Sequence, residues 1–224
     1  MKRLIAFDID STLLRVESLD TAIEAALSRL PDATEARERL HDFTNGGMTG
    51  RIALRDSLEA RLKLAALDRS SVIAMAEALR KRVTPGMPAL LRQLREQGDD
   101  VHAISGGFAD LLEPVLGDLG FRRSEIHANR FLFDGDEVSG LDPDCPLSRN
   151  GGKAEILNRI STHADTTIIV GDGMTDFEAF EQGAADRFIG FGAIAQREVV
   201  LAAAEWSGQS YVRSVNALAG ALKR

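Results

Sequence analysis

The chain has 224 residues, of which 44% are hydrophobic and 27% are charged. This length can bury a substantial apolar interior, as one large domain or as a core with an insertion, and the composition excludes intrinsic disorder. The formal net charge of −7 argues against nucleic acid as a partner, because backbone binding depends on clustered Lys and Arg. An anionic ligand would have to find its positive charge locally.

The apolar runs and the cysteine content exclude further classes. No apolar run approaches the length of a membrane span, and Asp8 and Asp10 interrupt what would be the uncharged core of a signal peptide. Cys145 is the only cysteine, so neither an internal disulfide nor a thiolate metal cluster can form. We therefore expect a cytoplasmic protein with no membrane partner.

The N-terminal run MKRLIAFDIDSTLL has the apolar character of a strand but contains two carboxylates. Side chains two positions apart in a strand point the same way, so Asp8 and Asp10 would share a face and repel each other. The run could be an exposed edge strand with solvated acids, or Asp10-Ser11-Thr12 could cap a following helix. It could also end at a site that binds a cation and a phosphate-like group.

Residues 16–84 contain no convincing strand. Their apolar residues follow helical periodicity in three runs, which are residues 21–30, 51–67 and 71–83. Pro85-Gly86 punctuates the return to the next strand. This block therefore predicts a small helical domain inserted after the first strand.

The expected domain boundaries follow from that block. Residues 1–15 and 83–224 would form the core, and residues 16–82 would form the inserted helical domain. Within the insertion, Gly46-Gly47 and Gly50 are expected in a mobile loop.

After residue 85 strand-like and helix-like segments alternate, which is typical of βαβ units in a parallel sheet. The strand candidates are residues 101–105, 166–170 and 187–192, and the helix candidates are residues 87–98, 109–120, 153–162 and 175–183. In residues 125–141 two extended runs flank Asp134-Gly135, which predicts a hairpin that leaves the sheet. The expected fold class is α/β, with a doubly wound, mostly parallel sheet, an inserted α-helical cap domain and a β-hairpin excursion.

Polar residues follow three predicted strands, at the ends where open α/β sheets bind ligands. They are Asp8 and Asp10, then Ser105-Gly106-Gly107, then Asp172 and Asp176. Lys153, at the start of a predicted helix, could reach the same crevice. Taken singly, these features could be an ordinary turn, helix caps and a solvated lysine. Their joint occurrence favours a single site.

The acids suit a hard divalent cation. Asp8, Asp10 and Asp172 would supply oxygen ligands, and octahedral Mg²⁺ suits one or two carboxylates together with a substrate phosphate. Neither a P-loop at 150–154 nor a GxGxxG after the first strand is present, so a nucleotide or dinucleotide is not expected.

Three other groups suit the phosphoryl oxygens. The hydroxyl of Ser105, the amide of Gly106 and the ammonium of Lys153 would bind them where charge gathers in a phosphoryl transfer. Glycine at 106 and 107 would allow the close backbone approach that this needs.

The sequence resembles the phosphoserine phosphatases of the haloacid dehalogenase superfamily over nearly its whole length. Four signatures match in order, namely DIDST (8–12), SGG (105–107), GGK (151–153) and GDGMTD (171–176). The first is shared by the whole superfamily, whereas Glu17, Met48-Thr-Gly50 and SLEARL (57–62) are narrower. The helical insertion corresponds to that family's cap domain.

The resemblance implies roles for the core residues. Asp8 would be the nucleophile that forms an aspartyl-phosphate, and Asp10 would be the general acid and then the general base. Asp8, Asp172 and the backbone carbonyl of Asp10 would hold Mg²⁺. Asp176 would complete the acidic group through Lys153 or a water on the metal.

The resemblance also implies substrate contacts. Glu17 would pair with the substrate ammonium and Arg61 with its carboxylate, while Met48 would close the pocket. Thr175 would also line the site, at a position where the family has Asn or Thr. Without the resemblance, Glu17 and Arg61 would be ordinary charged residues on helices.

The implied substrate is L-phosphoserine, in the last step of serine biosynthesis. Phosphohomoserine, phosphothreonine and phosphoethanolamine remain alternative substrates, although phosphoethanolamine lacks a carboxylate for Arg61. A phospho-aspartate receiver domain is the non-enzyme alternative. Receivers lack the second acid, Asp10, and the helical insertion.

Overall fold

The computed structural model describes residues 2–223. Six parallel strands form the central sheet in the order β3-β2-β1-β6-β7-β8, and β4 and β5 pair as a separate antiparallel hairpin. The strands are β1 (Arg3–Phe7), β2 (Asp100–Phe108), β3 (Ile126–Asn129), β4 (Phe131–Asp134), β5 (Glu137–Leu141), β6 (Thr166–Gly171), β7 (Arg187–Phe191) and β8 (Ser210–Val212).

Helices lie between the strands and after the last one. They are α1 (Ser18–Leu27), α2 (Thr34–Met48), α3 (Leu54–Leu62), α4 (Arg69–Leu79), α5 (Met87–Glu96), α6 (Ala109–Asp118), α7 (Gly152–Ile160), α8 (Met174–Glu181), α9 (Glu198–Trp206) and α10 (Val215–Ala221). None of the helices within residues 2–223 combines the length and apolar character needed to cross a membrane.

Strand β1 shows why both faces of the sheet are covered. Ile5 and Phe7 belong to one hydrophobic cluster and Leu4 and Ala6 to another, because successive side chains of a strand point to opposite faces. The first cluster takes in α5, α6 and α10, and the second takes in α7, α8 and α9. The predicted doubly wound α/β fold is confirmed.

Strand β1 also sets the place of the crevice. It is hydrogen-bonded to β2 on one side and to β6 on the other, so the strand order reverses there. Ligands of open α/β sheets bind beyond the carboxyl ends of the strands at such a switch point. Asp8 directly follows β1 at this point.

Helices α1 to α4 all come from the segment between β1 and β2. The two connecting stretches pair with each other, since Arg15 N donates to Arg82 O at 2.8 Å and Thr84 N donates to Leu13 O at 2.8 Å. Buried Ile23 of α1 nevertheless shares a cluster with the sheet residues. The boundaries at 15/16 and 82/83 stay a prediction, and Met1 and Arg224 at the ends of the predicted core lie outside the described residues.

Three details of the sequence-based prediction are wrong. Residues 126–129 do not leave the sheet but pair with β2 as its edge strand, and only 131–141 form the hairpin. Strand β2 does not end at Ser105 but continues through an irregular register to Phe108. Gly46 and Gly47 lie within α2 rather than in a loop, because the absence of a Cβ lets Ile52 and Ser57 pack against them.

Candidate active site

Asp8 leads from β1 into a compact loop, Ile9–Leu13, in which every residue is buried. Ser11 has φ of 51°, the only positive φ of a non-glycine residue among residues 2–223. Such backbone costs of order 1 kcal/mol and persists where surrounding contacts hold it. Here the Ser11 hydroxyl donates to Glu17 Oε1 at 2.8 Å, so the strained turn is tied to the start of α1.

Lys153 joins two carboxylates that come from different strand ends. Its Nζ donates to Asp8 Oδ1 at 2.7 Å and to Asp176 Oδ1 at 2.6 Å, and all three side chains are buried. Gly152 allows this placement, because a Cβ there would lie 1.9 Å from the carbonyl oxygen of Pro146. The start of α7 can therefore press against the preceding turn and aim Lys153 inward.

Asp8, Asp172 and Asp176 form a buried acidic cluster whose ligand oxygens lie within 4.8 Å of one another. Asp172 Oδ1 finds no hydrogen-bond partner among residues 2–223. A buried carboxylate oxygen without a partner is costly, and a hard cation with oxygen ligands satisfies it. The donor set therefore fits a divalent metal ion.

Glycine at 171 makes room for this cluster. A Cβ on Gly171 would lie 2.2 Å from the carboxyl carbon of Asp176, so any larger residue would displace that acid. Asp176 in turn accepts from the amide of Gly173 at 3.2 Å at the start of α8. Small residues around the acids are therefore a steric requirement.

Burial dominates the electrostatics of the site. It raises the pKa of Asp10 and of Asp172 well above the usual range, and the neighbouring Glu17 and Asp8 charges add to both shifts. Burial likewise raises the pKa of Asp176 to about 7, although Lys153 opposes the shift. Without a metal, the negative charges of the acids outnumber the positive charge of the nearby ammonium. A bound cation would lower the raised pKa values again.

Lys153 itself is held in the charged form. Burial alone would lower its pKa, but the carboxylates of Asp176 and Asp8 outweigh burial and raise the pKa above its usual value. The group therefore offers a fixed positive charge inside a site of negative overall charge.

The carboxyl end of β2 contains Ser105, Gly106 and Gly107 and lies beside Asp10. The Gly107 amide donates to Ser105 Oγ at 2.9 Å, and Asn129 Nδ2 donates to the Gly106 carbonyl at 2.7 Å. A Cβ on Gly107 would lie 3.0 Å from Asp10 Oδ2. The alternative interpretation as an ordinary turn does not apply, because this segment lies within β2 and packs directly on the loop after β1.

The carboxylate of Asp10 lies outside the acidic cluster. Oδ1 accepts from the Ser18 amide at 3.0 Å, and Oδ2 accepts from the Ser18 hydroxyl at 2.8 Å. The hydrogen bonds from the first turn of α1 favour the carboxylate form of Asp10, but they do not outweigh the effect of burial on its pKa. A metal contact through its backbone carbonyl stays a prediction.

Residues of the helical segment reach the same pocket. Glu17 precedes α1, and Met48 ends α2 so close to the sheet that a Cβ on Gly173 would lie 3.1 Å from its Cε. Arg61 is buried, with Nη1 donating to Asp20 Oδ1 at 3.0 Å, and its Nε has no partner among residues 2–223. Charged groups of opposite sign, Glu17 and Arg61, thus line the same pocket as Asp8 and Asp10.

The structure brings nearly all the predicted site residues into one pocket. Those that line it are Asp8, Asp10, Glu17, Met48, Arg61, Ser105, Gly106, Lys153 and Thr175. Asp172 and Asp176 are buried behind this lining and complete the acidic cluster with Asp8. Apolar Leu19 and Leu54, for which the sequence analysis gave no role, line the pocket as well.

Three further polar residues at the site were missed. Arg197 bonds Asp172 and Glu17, while Asp20 and Thr44 contact Arg61. No local motif marks them, because each acts through a partner far along the chain. The only available signal was that Asp20 lies three residues after Glu17, a spacing that places both acids on one side of α1.

The sequence profile of the haloacid dehalogenase-like hydrolases matches residues 5–181, which include all four signatures. The chain belongs to this family. The predicted superfamily membership is therefore confirmed, and the family is one of hydrolases.

Members with similar sequences and structures cover almost the whole chain. A relative from Arabidopsis thaliana named "Phosphoserine phosphatase, chloroplastic" is 34% identical over 217 residues, which are 96% of this chain and 71% of that protein. A crystal structure of a phosphoserine phosphohydrolase-like protein from Francisella tularensis is 29% identical, with a TM-score of 0.85 over 98% of this chain and 99% of the other. A structure described as a phospho-aspartyl intermediate analogue of phosphoserine phosphatase is 25% identical, with a TM-score of 0.78 over 95% and 94%.

Proposed function

We propose that this protein is a Mg²⁺-dependent phosphatase that hydrolyses L-phosphoserine through an aspartyl-phosphate, as in the last step of serine biosynthesis. The observation that carries the proposal is the contact of Lys153 with Asp8 beside an acidic cluster that could hold a divalent cation. Charged Glu17 and Arg61 line the same pocket as Asp8 and Lys153. The similarity to a phospho-aspartyl phosphoserine phosphatase structure supports it.

Asp8 acts as the nucleophile. One of its carboxylate oxygens forms a bond to phosphorus while the bond from phosphorus to the serine oxygen breaks. Asp10 gives its proton to the departing serine oxygen, and it lies beside Ser105 and Gly107, where the phosphoryl group would sit. Lys153, Ser105 and the Gly106 amide hold the phosphoryl oxygens, and Thr175 lines the same wall.

The second half of the reaction restores the nucleophile. Asp10, now a carboxylate, takes a proton from a water that attacks phosphorus in the aspartyl-phosphate. The bond between Asp8 and phosphorus breaks, and inorganic phosphate leaves. The hydrogen bonds from Ser18 keep the Asp10 side chain in place for both steps.

Asp8 and Asp172, with the backbone carbonyl of Asp10, would hold the Mg²⁺, and Asp176 would support them through Lys153. When bound, the cation neutralises the carboxylate charge and allows an anionic phosphate to approach Asp8. The unpartnered Asp172 Oδ1 supports this assignment.

The amino-acid part of the substrate is recognised from the helical segment. Glu17 pairs with the ammonium, Arg61 with the carboxylate, and Met48 covers the pocket. We also infer that residues 16–82 act as the cap domain on a core of 1–15 and 83–224. A cytoplasmic location stays a prediction.

Phosphate release from a substrate panel tests the proposal. The panel contains L-phosphoserine, phosphothreonine, phosphoethanolamine and 3-phosphoglycerate, each with Mg²⁺ and with a chelator. We expect catalytic turnover that needs the metal and is fastest on L-phosphoserine. Equal rates on all four would remove the substrate assignment, and release limited to one phosphate per protein would favour a receiver-like function.

A further inference from the structure

Arg197 is a buried cation that the proposed chemistry does not use. It lies between β7 and α9, directly before the first residue of that helix, and its side chain is 10% exposed. Nε donates to Asp172 Oδ2 at 2.9 Å, and Nη2 donates to Glu17 Oε1 at 3.2 Å. One guanidinium thus bridges the acidic cluster and the residue proposed to bind the substrate ammonium.

The two oxygens of Asp172 have different surroundings. Oδ2 is bonded to Arg197, whereas Oδ1 has no hydrogen-bond partner among residues 2–223. A hydrogen bond from a buried guanidinium to one carboxylate oxygen restricts the rotation of the carboxylate, so the other oxygen has a preferred direction. Asp172 is a member of the acidic cluster that can accept the cation, and Oδ1 is the oxygen that Arg197 does not occupy.

Glu17 is fixed from two sides at the same oxygen. Oε1 accepts from the Ser11 hydroxyl at 2.8 Å and from Arg197 at 3.2 Å. Because Arg197 contacts Glu17 and Asp172 together, a change at either carboxylate alters the position of the guanidinium for the other.

We propose that Arg197 is a positioning residue that orients Asp172 toward the divalent cation and links this carboxylate to Glu17. The affinity for the metal then depends on Arg197, which lies outside the acidic cluster, and on Glu17, the acid proposed to bind the substrate ammonium. The inference rests on the proposed function for the role of Glu17, but the orientation of Asp172 can be measured without any substrate.

The opposite role for Arg197 is that of a competitor for the cation. A competitor would occupy the oxygen that the metal needs, and its removal would tighten metal binding. In the structure Arg197 takes Oδ2 and leaves Oδ1 free, so a cation can bind without displacing it. The two roles predict opposite signs.

Binding of Mn²⁺ to the substrate-free protein, followed by electron paramagnetic resonance, separates them. We expect Arg197→Met to weaken Mn²⁺ binding about 10- to 100-fold, the usual cost of removing a partner that orients a metal ligand. Arg197→Lys, which keeps the charge, should recover part of the loss. Arg213→Met removes an exposed arginine that stacks on Tyr211 and should leave the affinity unchanged.

Glu17→Gln tests the link in the same assay. It should weaken Mn²⁺ binding more in the protein with Arg197 than in Arg197→Met. Unchanged or tighter binding in Arg197→Met, or an equal effect of Glu17→Gln in both backgrounds, would overturn the inference. Thermal unfolding of each variant identifies a merely structural loss, and phosphate release is measured separately, so failure here leaves the proposed function standing.

Discussion

The ammonium of Lys153 lies 2.7 Å from a carboxylate oxygen of Asp8, although 145 residues separate the two along the chain. The contact joins the end of β1 to the start of α7, and Asp176 completes it from the start of α8. The fold thus places one ammonium between two carboxylates, one of them the proposed nucleophile, before any substrate binds.

Removal of the lysine charge tests the importance of this contact. Lys153→Met should lower kcat about 10²- to 10³-fold, because a charged donor to the transferring phosphoryl group is lost. It should also destabilise the metal-free protein by about 3–5 kcal/mol, since two buried carboxylates lose their partner. Steady-state kinetics and urea unfolding measure the two effects.

Exposed Lys63→Met is the matched control for that variant. We further expect Mg²⁺ to raise the Tm of Lys153→Met by more than it raises the Tm of the unmodified protein, because the cation compensates the same acids. A variant that kept both full activity and full stability would show that the lysine is not part of the site.

Gly152→Ala should disable the site through sterics alone. A Cβ at this position would lie 1.9 Å from the Pro146 carbonyl oxygen, so the turn or α7 must shift and carry Lys153 away from Asp8. We expect a large loss of kcat together with a lower Tm.

The control is Gly220→Ala in α10, where a Cβ would meet nothing within 4 Å. Replacement of an exposed helical glycine by alanine stabilises the folded protein by roughly 0.5–1 kcal/mol. This variant should therefore keep its activity and have a slightly higher Tm. Equal behaviour of the two alanine variants would contradict the steric account.

Arg61 should decide between substrates with and without a carboxylate. Arg61→Met is expected to lower kcat/KM for L-phosphoserine about 10- to 100-fold, the cost of one charge-assisted contact. The loss on phosphoethanolamine should be much smaller. The ratio of the kcat/KM values for the two substrates within one variant cancels any general loss of folded protein.

Exposed Arg39→Met provides the comparison for a change of net charge. If Arg61→Met lowered kcat/KM for both substrates by the same factor, Arg61 would stabilise the pocket through Asp20 and Thr44 and would not recognise the substrate carboxylate.

A histidine pair on neighbouring strands should make stability depend on pH. His102 Nδ1 and His127 Nε2 are 3.1 Å apart, and the rings stack. Burial lowers the pKa of His127 to about 4, with a further contribution from His102. Burial also lowers the pKa of His102, against the charges of Asp100 and Glu125.

The sign follows from proton uptake. Below about pH 6.5 the histidines of the unfolded chain bind protons, whereas folded His127 does not bind its proton until about pH 4, so the free energy of unfolding falls as the pH drops through this range. In His127→Asn the free energy of unfolding, measured with urea, should fall less steeply as the pH drops. Exposed His163→Asn is the comparison. An identical pH profile for His127→Asn and the unmodified protein would contradict the assignment.

Much of the site could be predicted because its residues follow strands. Asp8 and Asp172 each directly follow a buried parallel strand and Ser105 lies toward the carboxyl end of another, and these strand ends meet at one edge of the sheet. Lys153 could be anticipated since a cation at a helix start opposes the helix dipole and needs a reason.

Other features lacked a local signal. Strand β3 spans only residues 126–129 and runs into the hairpin without a turn residue, so its pairing with β2 is a property of the sheet and not of the segment. Arg197 is 180 residues from Glu17, and only the closed fold brings them together. The helical course of Gly46 and Gly47 likewise depends on Ile52 and Ser57 packing against them.

The central claim is that Asp8 accepts the phosphoryl group, and trapping of the intermediate tests it most directly. The protein is mixed with L-phosphoserine and Mg²⁺, quenched in acid, and its phosphorylated peptide is located by mass spectrometry. The account predicts a phosphoryl group on Asp8, and none in an Asp8→Asn variant that folds normally but does not turn over. A phosphoryl group on another residue, or sustained turnover by Asp8→Asn, would contradict it.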